Sequence, residues 1–445
     1  MGAGTGCGSY LAGRDKVRAW RWATDQLEHR PVFKNVLVLL TGSTLAQLIA
    51  ILISLLTARI FSPEDFGAFA IYGSITGVVT AIASLRYDMT IVLPDSDEEA
   101  RVVGKLATRI NVIISVAFAL AAVLLRNWVF DLWGNRVVAD WLPVGGLSIF
   151  LVAQVTILQY WHNRTRNYKA ISINRVEQTV GSAGGQLGFG VAGMVSMQGL
   201  LFGTLVGQAW AFFRLNAKAK DFRQPVGQDA PSLAYVAKKY KKMPLLNLPN
   251  ALVDAVRVNG IQMLVGLVAV SGLGQFNLAW RTLQVPIGLI NGAISQVFYR
   301  ELAAIKPGGM RRLVGRTTLR SALFGIPPFI ALYIVSPWLF TFVFGPQWDQ
   351  AGDFARALTP WLALQLITSP ISTVFVVTSK QQWLLAFSVV FAAAPLALLA
   401  INPFGLLGTI AAMSWMMAGL LGFMIVMALW AARDFDRTAD SPAEA

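Results

Sequence analysis

Apolar runs of membrane-crossing length recur along the chain, parted by short polar breaks. A spanning helix needs roughly 20 mostly apolar residues. Twelve such runs are readable: 36–58, 66–93, 110–125, 142–161, 176–195 and 200–215, then 244–270, 276–298, 322–336, 358–378, 383–401 and 404–431. Only Ser196, Met197, Gln198 and Gly199 separate the fifth from the sixth. The longest polar stretch, 216–243, divides six runs from six. The pattern predicts an all-α membrane protein of about 12 transmembrane helices: a cytoplasmic basic tail (1–35), an N-terminal six-helix lobe (36–215), a cytoplasmic linker (216–243), a C-terminal six-helix lobe (244–431) and a second tail (432–445).

An internal repeat supports that division. Phe66, in the string Ser62-Pro63-Glu64-Asp65-Phe66-Gly67 after the first run, and Phe276, in Gly272-Leu273-Gly274-Gln275-Phe276-Asn277 after the seventh, lie 210 residues apart. Trp128 and Trp338, after the third and ninth runs, share that offset of 210, and Gly134 and Gly345 are 211 apart. An even number of spans gives both halves one orientation. A pseudo-twofold axis along the membrane normal would relate them, with a site between the lobes near the midplane. Pro286, Pro327, Pro328, Pro360, Pro370 and Pro395 fall within or beside C-terminal runs. Proline bends helices, which predicts that the moving helices belong to that lobe, although membrane helices also tolerate proline without moving.

Net charge is +14, which in a soluble protein would suggest nucleic acid as a partner. Position gives another explanation, because cytoplasmic loops of membrane proteins collect Lys and Arg. With the N-terminus inside, only Arg59, Arg126, Arg136 and Arg356 fall on outer segments, and Arg86, Arg257 and Arg281 fall inside runs. Every other basic residue lies on an inner segment. Nucleic acid is not needed to explain the charge, and both termini are expected in the cytoplasm. A composition of 55% apolar and 13% charged residues, with a mean hydropathy of +0.57, agrees with a membrane protein. The N-terminal tail shows no apolar core of signal-peptide length. Its Trp20 and Trp22, among Arg14, Lys16, Arg18 and Arg21, fit a short helix on the cytoplasmic leaflet or an unstructured basic tail equally well. One cysteine, Cys7, and two histidines, His29 and His162, argue against disulfides, thiolate–metal sites and Cys/His catalysis. No cofactor is implied.

Charges inside runs are the best candidates for chemistry, since each costs about 2.5–3.5 kcal/mol on insertion scales and tends to face a partner or a wet cavity. Asn247, Asn250, Asp254 and Arg257 recur at helical spacing on one face of the seventh run, and Arg281, Gln284, Gly288, Asn291 and Ser295 do so on the eighth. Milder stripes follow in the first run (Ser43, Gln47, Ser54) and the second (Thr76, Thr80, Ser84). Together they predict a hydrophilic cavity where the first helix pairs of the two lobes meet, with Gln47, Asn250, Asp254, Gln284 and Asn291 as polar lining. Each arginine has a competing reading. Asp254 and Arg257 are i, i+3 neighbours that neutralise each other, and Arg86 sits near enough to the inner end to snorkel. Arg281 has no acidic residue within a turn of its own helix. It is the first choice for binding an anionic group.

Other strings look like motifs and are better explained by structure. Asp95-Ser96-Asp97 has the spacing of a sugar-nucleotide transferase motif, but after Pro94 it reads as a helix cap, and no loop is long enough for a nucleotide-binding domain. The glycines from Gly181 to Gly193 lack the Lys-Ser/Thr of a phosphate loop, and Gly181/Gly185 and Gly184/Gly188 read as helix-packing pairs. His162, beside Tyr160 and Trp161, reads as an interface anchor rather than a proton relay.

Three segments carry a family resemblance. Leu40-Thr41-Gly42-Ser43-Thr44-Leu45-Ala46-Gln47 leading to Arg59-Ile60-Phe61-Ser62-Pro63-Glu64-Asp65-Phe66-Gly67, then Ala83-Ser84-Leu85-Arg86-Tyr87-Asp88 running to Pro94, resemble the opening of bacterial polysaccharide-transporter flippases. Phe344-Gly345-Pro346-Gln347-Trp348-Asp349-Gln350-Ala351-Gly352, with Pro360-Trp361 and Ser369-Pro370-Ile371-Ser372, is similar to that family's second-lobe signature. The likeness covers about 35–430. It implies the fold of the multidrug/oligosaccharidyl-lipid/polysaccharide exporter superfamily, two six-helix lobes in a V with alternating access. It also implies the cargo, an undecaprenyl-pyrophosphate-linked oligosaccharide turned across the bacterial inner membrane for O-antigen, capsule or exopolysaccharide. The implied partners are that lipid-linked oligosaccharide, membrane lipid, and polysaccharide polymerase and chain-length proteins. The implied cationic cavity fits Arg281, Arg257 and Arg86. A multidrug or metabolite antiporter on the same fold is the main rival, though only Asp88 and Asp254 supply acid within runs. A membrane polymerase or ligase would want a larger outer loop. The related peptidoglycan-precursor flippases carry further helices, which are not expected after Ala431.

Overall fold

The computed structural model describes residues 31–225, 227, 230–305, 308–378 and 380–437, which include no strand. The basic tail with Trp20 and Trp22 lies outside the described residues, as does 438–445. The first lobe comprises α1 (Pro31–Ile60), α2 (Pro63–Ile82), α3 (Asp97–Leu124), α4 (Arg126–Trp133), α5 (Arg136–Trp141), α6 (Gly145–Arg164), α7 (Tyr168–Val191) and α8 (Met197–Lys218). A linker helix, α9 (Leu233–Lys239), leads to α10 (Lys242–Val268), α11 (Val270–Ala304), α12 (Met310–Phe344), α13 (Asp349–Thr368), α14 (Val374–Val377), α15 (Gln381–Ile401) and α16 (Gly405–Arg437).

Each of the twelve apolar runs falls on a helix, and seven described segments are long and apolar enough to cross a membrane by themselves. Helices α7, α8, α11 and α13 miss that standard, and α1 has only Thr44–Ile60 as a shorter apolar stretch. Polar or glycine-rich faces lower their hydropathy. Two runs are not single helices. The 66–93 run breaks after Ile82: Leu85 and Arg86 take φ of 46° and 63°, and a 3-10 turn follows at Tyr87–Val92. Arg86 therefore lies outside a spanning helix. The 358–378 run breaks at Thr368, where Pro370 opens a 3-10 turn because proline lacks the N–H that would continue the helix.

Local chemistry starts the helices where the chain needs them. Ser62 caps α2 in a reciprocal box with Asp65, with Pro63 in the first turn, and the other oxygen of Asp65 accepts the backbone N–H of Met197 at the start of α8. One carboxylate thus anchors two helix N-termini. The transferase-like string resolves as expected: Ser96 caps α3 by accepting the N–H of Glu99, and Asp97 pairs with Arg164 at 2.8 Å. The glycine pairs divide. Gly181 and Gly185 lie against Gly207 and Gly203 of α8, whereas Gly184 and Gly188 have open space at the Cβ position. His162 is not an interface anchor. It is buried, with Nε2 3.2 Å from the Leu215 carbonyl, tying α6 to α8.

The two lobes meet where α2 packs against α10 and α11. At this crossing the backbones touch. A Cβ on Gly67 would lie 1.8 Å from the Val270 carbonyl oxygen, and one on Gly274 1.7 Å from that of Pro63. The repeat landmarks do matching work: Phe66 and Phe276 are buried, Trp128 and Trp338 face outward, and Gly134 and Gly345 turn the chain at φ of 64° and 107°. Outward apolar side chains such as Leu124 and Phe324 leave a surface suited to lipid rather than water.

The linker is bound to the first lobe. Lys239 pairs with Glu99 at 2.6 Å, Tyr87 donates to the Ala237 carbonyl, and Arg101 donates to Gln224, while Phe222 fills the space over Gly104. The hydrogen bond to Glu99 holds the Lys239 ammonium above its ordinary range. Across the second lobe, Asp436 accepts the N–H groups of Gly308, Met310 and Arg311, capping α12 from the end of α16.

The Gly67/Gly274 crossing yields a stability prediction. Gly274→Val overpacks a backbone contact and should cost about 1–3 kcal/mol. Thermal unfolding of the detergent-solubilised protein should show a lowered midpoint; an unchanged midpoint would mean the crossing is looser than described.

Candidate functional site

Polar and charged side chains gather around two separate cavities rather than the single one expected. The first, about 290 Å³, lies between the lobes. Its walls are α1 (Ser54, Thr57), the aromatic start of α2 (Phe66, Phe69), α7 (Gln178, Thr179, Ser182, Gln186) and α11 (Asn277, Arg281, Thr282). Arg281 lines this cavity and its side chain is exposed. Among the described residues it has neither an acidic partner nor a hydrogen-bond acceptor, whereas most neighbours are engaged. Asn277 donates to Gln262, Gln186 donates to Thr204, and the Ser54, Thr57 and Thr179 hydroxyls bond back to their own helices.

The second cavity is larger, about 860 Å³, and lies wholly within the second lobe. It is enclosed by α10 (Asn250, Asp254, Arg257), α11 (Trp280, Gln284), α13 (Trp361, Gln365, Thr368) and its broken end (Ser369, Ser372), α15 (Phe387, Ser388, Phe391) and α16 (Leu421, Met424). Arg257 donates to Asp254 at 2.7 Å and lies over the Phe391 ring at 5.5 Å. Its charge is largely answered within this chamber.

The expected eighth-run stripe is thereby divided. Asn277, Arg281 and Thr282 face the inter-lobe cavity, while Trp280 and Gln284 face the chamber, so α11 is a wall between the two. Arg281 and Arg257 do not share a site. Arg86 lines neither cavity; it begins the 3-10 turn after α2, with its Nε buried and unpartnered. Nor do Gln47 and Asn291 line either one, although each buries an amide oxygen without a partner. The second-run stripe is spent on its own surroundings: Thr76 and Thr80 bond back to carbonyls of α2, and Ser84 donates to Asp88 at 2.6 Å. The side chains of Ser43 and Ser295 lie outside the described residues.

Sequence reasoning missed the polar face of α7, whose glycines on the neighbouring face drew the reading to packing. It also missed a latch between the lobes, next to the cavity-lining Thr57 and Phe66. Gln347 Nε2 and Trp348 Nε1 both donate to the Ala58 carbonyl, at 2.6 and 2.7 Å, across the lobe boundary. Gln275 holds the latch loop from below, donating to the Gln347 carbonyl at 2.7 Å and accepting the Ala351 N–H at 2.9 Å. The fully buried Trp348 ring packs edge-on against Phe66 with 5.2 Å between centroids. Both latch residues belong to the second-lobe signature, so the strings that carried the resemblance turn out to join the lobes. Among the described residues no group of three His, Cys, Asp or Glu side chains is placed to hold a metal.

The latch gives a conformational prediction. Trp348→Phe removes one inter-lobe hydrogen bond, worth about 1–1.5 kcal/mol net, or about tenfold in an opening equilibrium. In a Cys7→Ala background, a cysteine replacing the buried Thr57 should react about tenfold faster with a small maleimide when Trp348→Phe is added. Equal rates would show that the latch does not open there.

The comparisons agree with a transporter fold. The lipid II flippase MurJ in its inward closed conformation matches with a TM-score of 0.71 at 14% identity, over 88% of this chain and 89% of its own. An inward-facing multidrug resistance MATE family transporter of the MOP superfamily matches with 0.60 at 14%, over 89% and 96%. The MATE multidrug transporter DinF-BH matches with 0.58 at 17%, over 92% and 97%. Identities this low speak for fold alone. No curated protein sequence matches the chain. Residues 56–353, well over half its length, match the family described as polysaccharide biosynthesis protein. This multi-pass α-helical membrane chain belongs to that polysaccharide biosynthesis family, on a two-lobed fold like that of the MurJ and MATE structures.

Proposed function

We propose that the protein is a flippase that carries an undecaprenyl-pyrophosphate-linked oligosaccharide from the inner to the outer leaflet of the bacterial cytoplasmic membrane, for surface polysaccharide assembly. One observation carries the reading: Arg281 stands unneutralised in a polar cavity between the lobes. A guanidinium carried partway along a spanning helix is costly unless an anion or a wet cavity answers it. A pyrophosphate suits it, because the planar fork of Arg binds phosphate oxygens bidentately. The family match to polysaccharide biosynthesis points to the same class of cargo. A cavity between two lobes joined by the Ala58 hydrogen bonds supports alternating access. The polyprenyl tail stays in the bilayer while the charged head passes through the protein.

A second reading, a multidrug antiporter, is favoured by the MATE-like fold and by the open carboxylate of Asp254 in the chamber. Its weakness is that Asp254 already pairs with Arg257.

Complementation of a deletion strain separates the two. Arg281→Ala should insert normally but fail to restore surface polymer, with the lipid-linked oligosaccharide accumulating on the cytoplasmic side. Loss of a charge-assisted bidentate contact of about 1.5–3 kcal/mol corresponds to binding weakened roughly tenfold to a hundredfold. Arg281→Lys should restore part of the activity. Normal polymer from Arg281→Ala would remove the site assignment. A deletion strain with normal polymer and raised sensitivity to cationic dyes would favour the antiporter.

A further inference from the structure

Within the second lobe, the chamber bounded by α10, α11, α13, α15 and α16 has a composition unlike that of the inter-lobe cavity, and the phosphate reading leaves it unexplained. Its volume, about 860 Å³, lies in the range of pockets that enclose whole small molecules. Its one acid and one base cancel, since Arg257 is held by Asp254 at 2.7 Å. What remains is neutral: amides from Asn250, Gln284 and Gln365, and hydroxyls from Thr368, Ser372 and Ser388.

Aromatic rings supply the other half of the wall. Trp280 and Trp361 lie 4.6 Å apart between centroids, Phe391 stands 6.5 Å from Trp361, and Phe387 stacks on Phe391 at 5.3 Å. Among the described residues, two polar groups of this wall have no partner. Trp361 is 1% exposed and its indole Nε1 is unbonded; the side-chain oxygen of Gln365, one turn further along α13, is also buried and unbonded. Buried donors and acceptors are nearly always paired, so a donor and an acceptor left over in one wall indicate groups that a ligand satisfies once the wall adjusts around it. The backbone points the same way. Helix α13 breaks at Thr368–Pro370, and irregular backbone at membrane depth is tolerated where it lines a cavity.

Neutral amides and hydroxyls opposite aromatic faces match one chemistry: an uncharged, polyhydroxylated ring, whose hydroxyls bond to the amides while its C–H face lies on an indole. A cation would need a free carboxylate and an anion a free guanidinium, and in this chamber each is answered by the other. We infer that the second-lobe chamber receives the sugar portion of the cargo, while Arg281, about one turn from Gln284 on α11 and open to the inter-lobe cavity, receives the phosphate. The inference rests on the flippase reading and assigns the two chemical halves of the head group to two cavities lined by one helix. It makes the chamber the place where glycans are discriminated.

The test compares two lipids on the full-length protein in nanodiscs: sugar-free undecaprenyl pyrophosphate, and the glycosylated lipid extracted from cells lacking this protein. Gln284→Leu/Gln365→Leu removes two amides at nearly constant volume, and Ser388→Phe fills the chamber without cutting its wall. Both variants should bind the sugar-free lipid within twofold of wild type and the glycosylated lipid at least tenfold more weakly. Arg281→Ala should weaken both lipids alike. If the double variant does not fold, Ser388→Phe decides alone. Variants that lose both lipids equally, or neither, overturn the chamber assignment while leaving the flippase reading standing. Wild type that binds neither lipid overturns both.

Discussion

The architecture depends on how closely two backbones approach at the lobe boundary. Gly67 of α2 and Gly274 of α11 leave no room for a Cβ, and only because both are glycine can the lobes come together there. That approach brings the Ala58 carbonyl within reach of Gln347 and Trp348, and it sets α11 directly on the seam. Once α11 is on the seam, its residues line two different spaces. Arg281 takes the side between the lobes and Gln284 the side within the second lobe. A wider crossing would merge those spaces or shift Arg281 toward lipid.

The two arginines illustrate how little a charge says about its role until its neighbours are known. Arg257 and Arg281 occupy similar depths in adjacent helices, and their insertion costs are comparable. Arg257 shares its charge with Asp254 three residues earlier and with the face of Phe391. Arg281 has no such company among the described residues. The first contributes to a neutral wall; the second leaves a positive centre open to the inter-lobe cavity. The difference was already visible in the spacing of acidic residues along each helix.

Much of the fold was legible in the chain because hydrocarbon allows the backbone few alternatives. Every apolar run became a helix, and Ser96 and Asp97 capped a helix as their setting suggested. Runs alone do not reveal breaks, so the turn at Leu85 and Arg86 inside an apolar stretch went unseen, and Arg86 was placed within a span. The inter-lobe cavity was half legible. Arg281 stood out, but Gln178, Ser182 and Gln186 share α7 with glycines that face α8, and a helix with two busy faces reads as one. The chamber was hidden for a different reason. Trp280, Trp361 and Phe391 come from three helices far apart in sequence, so nothing local marks them as neighbours.

The linker has a mechanical corollary. Because α9 is pinned to the first lobe through Glu99 and Tyr87, only Tyr240 and Lys241 remain between its last residue and the first turn of α10. So short a tether stores almost no slack. Any tilt of one lobe against the other would therefore load α10 itself, where Pro249, with no N–H to give to the carbonyl one turn earlier, is the weakest point along its first turns. That weak point lies on the same helix that carries Asn250, Asp254 and Arg257, so a bend there would tilt the lobe and reshape the chamber wall together.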